Sequence, residues 1–245
     1  WTILGIAAHL VVQLMEMMQN EWLNRLTETI LTARRETPLL VGIDGIDAAG
    51  KTHLADEVAQ ALRDAGQSVI RATLDGFHRP RAIRYRQGKY SPQGYYQDSF
   101  DYALFKQSLL DPLRPGGTRR YRTAAFDVRA DAPVSAPLLT ASEQDILVCD
   151  GIFLFRRELR AYWDVKIFVE VSFETSLQRA LTRDLAVLGS EAEIHKRYHQ
   201  RYIPAQQHYL QNEQPRPAAD IVIDNNDYRH PIVMPSSGKC RLGES

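Results

Sequence analysis

The sequence predicts an α/β fold, one domain built on a five-stranded parallel sheet with helices on both faces. Three observations carry this. Five short apolar runs, 38–43, 68–74, 145–149, 165–171 and 220–224, read as strands buried on both faces. Stretches with helical spacing separate them, so consecutive strands need crossover connections and pair in parallel. Between the first run and the first helical stretch stands Gly45-Ile46-Asp47-Ala48-Ala49-Gly50-Lys51-Thr52, which fits the pattern Gly, four residues, Gly, Lys, Ser or Thr of a P-loop. The motif narrows the fold to that of the P-loop NTPases.

The flanks suit the motif. Pro38-Leu39-Leu40-Val41-Gly42-Ile43 supplies the strand, and Leu54, Ala55, Val58, Ala61, Leu62 and Ala65 recur at helical spacing, with Gly66 placed to end the helix. Two glycines let the backbone fold into a concave nest whose N–H groups face phosphate oxygens, where a Cβ would obstruct the approach. Lys51 can reach the β- and γ-phosphates, Thr52 offers a hydroxyl to Mg²⁺, and the following helix aims the positive end of its dipole at the same anion. Gly45, Asp47, Ala48, Ala49, Gly50, Lys51 and Thr52 are therefore the candidate nucleotide contacts.

Composition excludes several classes. The 245 residues, 44% hydrophobic and 24% charged, are enough for one sizeable core. Lys plus Arg equals Asp plus Glu at 30 each, so no general attraction to nucleic acid or to an anionic membrane is implied. Cys149 and Cys240 make no disulfide framework and match no zinc spacing, which fits a reducing cytoplasm. The apolar stretch from Trp1 to Met18 has no basic n-region or small-residue cleavage site, and His9, Gln13 and Glu16 interrupt it. Met15, Met17 and Met18 are plausible starts, so residues 1–17 are expected to be a non-native or flexible extension. The domain is then 18–228, and the aperiodic tail 229–245 is expected to be mobile or extended.

Along the chain, Trp22, Leu23, Leu26, Ile30 and Leu31 form the apolar stripe of a helix over 20–35. The second strand ends at Asp75-Gly76-Phe77-His78. Ligands of open parallel sheets bind outside the carboxyl ends of the strands, so Asp75 is aimed at the same crevice as Lys51. Residues 79–96, with five basic residues and Tyr85, Tyr90, Tyr95 and Tyr96 interleaved, read as a substrate loop. A helix over 98–110 is stopped by Pro112, and 118–127 with 133–140 suggests a hairpin flanking an acceptor pocket, within an insertion of about 76–140. Asp150, at the end of its strand, resembles a Walker B residue that holds Mg²⁺ or its waters. Ser172 and Glu174 begin a helix carrying Arg179 and Arg183, and Ser190 with Glu193 makes a capping box for the next.

The P-loop, Asp75-Gly76-Phe77-His78, Asp98-Ser99-Phe100-Asp101, Val148-Cys149-Asp150-Gly151-Ile152 and Arg179-Ala180-Leu181-Thr182-Arg183-Asp184 together resemble the uridine kinase-like family of P-loop kinases over about Leu39 to Asp224. The resemblance implies transfer of the ATP γ-phosphoryl group to a hydroxyl of a small-molecule acceptor. It puts Asp75 at the catalytic carboxylate, Asp150 at the magnesium position and Arg179 and Arg183 on a lid of about 179–200. Tyr121 matches the family's pocket tyrosine. Tyr95 stands where uridine kinases carry an aspartate for the ribose hydroxyls, and Phe126 where they carry a base-recognising histidine. With His78 and Arg84, these are the expected substrate contacts. The resemblance favours a uridine- or cytidine-like nucleoside. The departures at Tyr95 and Phe126, with Arg81, Arg84, Arg119, Arg120 and Arg122 near in sequence, point instead to an anionic metabolite such as pantothenate or a sugar phosphate. A regulatory nucleotide-binding ATPase is a third reading, opposed by the long insertion and the lack of an Asn-Lys-x-Asp guanine motif. Homo-oligomer formation is left open.

Overall fold

Each apolar run forms its strand, and β-branched and aliphatic side chains cover both faces of it. In the structure, a computed structural model that describes residues 21–33 and 37–234, the strands are β1 (Leu39–Gly45), β2 (Val69–Thr73), β3 (Ile146–Asp150), β4 (Val165–Glu170), β5 (Ile221–Asp224) and β6 (Ile232–Met234). Their order across the sheet is β6-β5-β4-β1-β3-β2. The first five strands are parallel, with Val41 opposite Val148 on one side and Val165 on the other. β6 is the departure from expectation. It lies antiparallel to β5, pairing Ile232 with Asp224, so a sixth strand beyond the expected five forms the sheet's edge within the tail expected to be mobile or extended. Residues 1–17 and 235–245 lie outside the described residues.

Successive residues of β1 point to opposite faces. Leu39, Val41 and Ile43 pack with Leu26 and Ile30 of α1 (21–32) and with Leu54, Val58 and Leu62 of α2 (Lys51–Asp64). Leu40 packs on the other side with Phe77, Phe105, Leu147 and Phe168. A third, small core of Leu177, Ala180, Ile194 and Tyr198 holds the lid segment together. No described helix is long and apolar enough to cross a membrane.

The insertion differs from its expected outline. Asp98 ends a helix, α3 (Pro92–Asp98), rather than starting one; the next begins at Tyr102, where the Asp101 side chain accepts from Leu104 N–H. Tyr102–Phe105, Lys106–Leu110 and Asp111–Leu113 then run on as one helix with a π turn in the middle, and Pro112 lies inside it. A proline leaves the carbonyl four residues back without its helical donor. That carbonyl, on Ser108, accepts Arg122 N–H at 2.9 Å, so the proline creates the acceptor that ties the hairpin down. The hairpin itself is two short ladders, Arg120–Tyr121 with Leu139–Thr140 and Phe126–Asp127 with Ala132–Pro133.

Candidate active site

The P-loop closes over the carboxyl end of β1, and each of its two glycines also makes room for a neighbour, backbone at Gly45 and a side chain at Gly50. A Cβ on Gly45 would lie 2.4 Å from the Val169 carbonyl oxygen of β4. Gly50 has φ +94°, in the left-handed region, and a Cβ there would lie 2.5 Å from Asn225 Nδ2, which donates to Ala49 O. No side chain caps α2, so its first N–H groups open onto the loop with the positive end of the helix dipole.

Lys51 Nζ donates to Ile46 O at 2.7 Å, within the loop. Thr52 Oγ1 donates to Asp150 Oδ2 at 2.7 Å. The other oxygen, Asp150 Oδ1, is 2.7 Å from Arg71 Nη1, yet without hydrogen-bond alignment, and is a buried atom with no hydrogen-bond partner among the described residues. A hydroxyl and a buried carboxylate, here paired with Arg71, are the hard oxygen ligands that Mg²⁺ takes alongside phosphates and water. The residues fit the ion.

A cavity of about 490 Å³ opens from here. It brings together Asp47, Ala48, Lys51, Thr52, Asp75, His78, Arg84, Tyr95, Asp150 and Arg183 of the expected residues. Asp75 sits in the short turn Leu74–Phe77, with its N–H bound to Thr73 Oγ1, and its carboxylate has no hydrogen-bond or ion-pair partner among the described residues. His78 Nδ1 is 2.9 Å from Asp75 O, and the ring packs on Phe100; burial pushes its imidazole below the usual range, against the pull of Asp75. Burial pushes the Asp47 carboxyl up, opposed by Lys51 and Arg183.

Other expected residues fall elsewhere. Arg179 lies one turn before Arg183 but faces a second cavity of about 210 Å³, with Trp22, His53, Asn225 and Tyr228, and donates to Asn225 O at 2.6 Å. Tyr121 is buried in the core opposite Leu139, and Phe126 is buried in its ladder opposite Pro133; neither lines the larger cavity. The arginines do not converge. Arg84 reaches the cavity while pairing with Asp131, whereas Arg119 pairs with the exposed Glu143, Arg122 donates to the Ala136 carbonyl, and Arg81 and Arg120 are exposed.

Three buried polar residues near the site were not anticipated. Asp44, in β1, accepts from the N–H groups of Gly45 and Phe155 and from the Tyr209 hydroxyl. Arg201 is 2% exposed and donates to the carbonyls of Gly88, Ser91 and Arg84, with no carboxylate in reach among the described residues. Gln206 holds Asp47. A signal existed: Tyr198, Arg201, Tyr202, Ala205, Gln206 and Tyr209 share one helical face, where an arginine and a glutamine among apolar residues stand out.

The family model for phosphoribulokinase and uridine kinase matches residues 40–229. Uridine-cytidine kinase B of Dictyostelium discoideum is 30% identical over 163 residues, 66% of this chain and 65% of that protein. The uridine kinase of Leuconostoc citreum is 26% identical over 159 residues, 62% of this chain and 71% of that protein. A possible uridine kinase from Bacillus stearothermophilus superposes with a TM-score of 0.66 at 26% identity, covering 84% of this chain and 98% of that structure. The chain thus spans just under two thirds of the Dictyostelium protein and more of the two bacterial ones.

Proposed function

The chain belongs to the phosphoribulokinase and uridine kinase family, and on that premise we propose that it is an ATP-dependent kinase that passes the γ-phosphoryl group to a hydroxyl of a small molecule, a uridine- or cytidine-like nucleoside. The observation that carries this is the single cavity in which the P-loop residues Lys51 and Thr52, the carboxylate of Asp150 and the carboxylate of Asp75 meet. Phosphoryl transfer depends mainly on positioning and on neutralising charge. Lys51 would exchange the Ile46 carbonyl for phosphate oxygens, and Arg183 would face the same charge from the lid. Thr52 and Asp150 would hold Mg²⁺, which when bound neutralises phosphate charge. Asp75, whose carboxylate has no partner among the described residues, is suited to orient the acceptor hydroxyl and accept its proton. Arg179 belongs to the nucleotide's side of the loop. The buried, unpaired Cys149 fits a reducing compartment such as the cytoplasm.

A second reading, an anionic acceptor, is favoured by one observation: Arg201, beside Arg84 on the cavity wall, carries a buried charge with no carboxylate in reach among the described residues. A coupled ADP-release assay over uridine, cytidine, nicotinamide riboside, pantothenate and ribulose 5-phosphate decides between them. Nucleoside-dependent ADP release is the expected result; release stimulated by the anionic compounds alone selects the second reading, and release that no acceptor stimulates leaves a regulatory ATPase.

A further inference from the structure

The P-loop carries a carboxylate where phosphate binding has no use for one. A loop whose N–H groups serve an anion repels a negative side chain unless that side chain turns away. Asp47 is turned away and pinned from four directions. Its two oxygens lie 3.0 and 2.9 Å from the Tyr95 hydroxyl, and Gln206 Nε2 donates to Oδ2 at 3.0 Å. Its N–H donates to Gln206 Oε1 at 2.8 Å, and its carbonyl accepts from Ser176 Oγ at 2.7 Å. Gln206 is fully buried, so this grip is part of the core. Asp47 nevertheless lines the larger cavity with Asp75 and His78.

Its role is not to balance Lys51 by direct contact, because the Lys51 ammonium is bound to Ile46 O and no ion pair joins the two among the described residues. An ionised carboxylate has about four lone-pair sites. Tyr95 has one proton to give and Gln206 Nε2 fills one more site, which leaves about two sites on a fixed group at the cavity wall. We propose that Asp47 receives the acceptor's hydroxyl groups and that the acceptor presents two adjacent hydroxyls, as the ribose of a nucleoside does. Tyr95 and Gln206 are positioning residues that hold the carboxylate in place. The assignment rests on the reading that this cavity takes the acceptor. Asp47 thereby moves from the nucleotide contacts, where the motif puts it, to the acceptor side.

The test uses the full chain with uridine and 2′-deoxyuridine as acceptors, with ATP affinity measured separately by calorimetry. Wild type should favour uridine over 2′-deoxyuridine by about tenfold in kcat/KM, as losing a hydrogen bond to a charged group implies. Asp47→Asn should raise the uridine KM by about tenfold, erase the preference and leave the ATP Kd no weaker. Tyr95→Phe, which keeps the carboxylate, should retain the preference. An unchanged uridine KM and preference in Asp47→Asn, or a matching loss of ATP affinity, overturns the assignment. If Asp47→Asn does not fold, wild type decides alone: equal use of both nucleosides overturns the diol assignment while the kinase reading stands. Turnover of neither overturns the nucleoside reading, and the diol assignment falls with it.

Discussion

The two walls of the cavity are held in place by different means. The wall proposed to take the phosphates is local and made of backbone: β1, eight residues of loop and the first turn of α2, fixed by the close approach of Gly45 to Val169 and of Gly50 to the Asn225 side chain. The wall proposed to take the acceptor is assembled over long stretches of chain by side chains. Arg201 donates to Arg84 O and Gln206 to Asp47, across 117 and 159 positions. A backbone cradle accepts any polyphosphate, whereas a wall of long-range side-chain contacts can be changed without disturbing that cradle. The difference suits a scaffold that keeps one donor and varies its acceptor.

The largest expected effect lies where the walls meet the phosphate. Lys51→Ala should lower kcat by about 10³ or more with the melting temperature nearly unchanged, because the Lys51 ammonium's hydrogen bond among the described residues is to Ile46 O inside the loop. Activity within about tenfold of wild type would move the transferred phosphate elsewhere. Next comes Asp75→Asn, which keeps the shape but cannot accept a proton. It should lower kcat by about 10² to 10⁴ and leave ATP affinity intact, as measured by calorimetry. Surviving turnover would make Asp75 a turn residue and place the acceptor off this wall.

The same contrast explains what the sequence could tell. The five parallel strands, the P-loop and the strand ends at Asp75 and Asp150 were legible because short-range pattern dictates them: apolar runs, glycine spacing, polar residues at strand ends. β6 was not, since three residues after an Asn-Asn-Asp turn carry no period and gain their pairing only from β5. The helix start misplaced at Asp98 shows the same limit, because the Asp101 cap and the Ser108 carbonyl freed by Pro112 are satisfied by tertiary partners. On the acceptor wall, proximity in sequence misled. Arg119, Arg120 and Arg122 lie near Arg84 in the chain but not at the cavity, while Arg201, more than a hundred residues away, is there.

Behind the phosphate wall, Asp44 gives a pH test of how rigid that wall is. Burial raises its carboxyl from 3.8 to about 6, although Tyr209, the Phe155 and Gly45 N–H groups and Lys51 draw it back. The folded state therefore holds the proton more tightly than the unfolded chain, and Asp44 contributes less stability as pH rises from about 4 to about 6. A shift of about two units corresponds to about 3 kcal/mol. The unfolding free energy of wild type minus that of Asp44→Asn, from urea titrations, should fall by about that much between pH 4 and pH 7. A constant difference would mean that water reaches Asp44 and that the wall opens.

The smallest effect is expected at the arginine-rich hairpin, and its smallness is informative. Arg119 pairs with Glu143 at 3.1 Å, with side-chain exposures of 46% and 62%, and neither residue lines the cavity. An ion pair so exposed is screened by water and salt and is worth about 0.2 to 1 kcal/mol. Arg119→Ala should therefore shift the melting temperature by only about 1 to 4 °C and keep kcat/KM within about twofold for any acceptor, charged or neutral. Arg84→Ala makes the matched control, because Arg84 is nearly buried, bridges Arg79 O and Asp131, and reaches the cavity. Losing a charged hydrogen-bonding group there should cost about tenfold in acceptor kcat/KM. Equal losses in the two variants would show that the hairpin closes over the acceptor during turnover, and the division between a solvated arginine hairpin and a built acceptor wall would then fail.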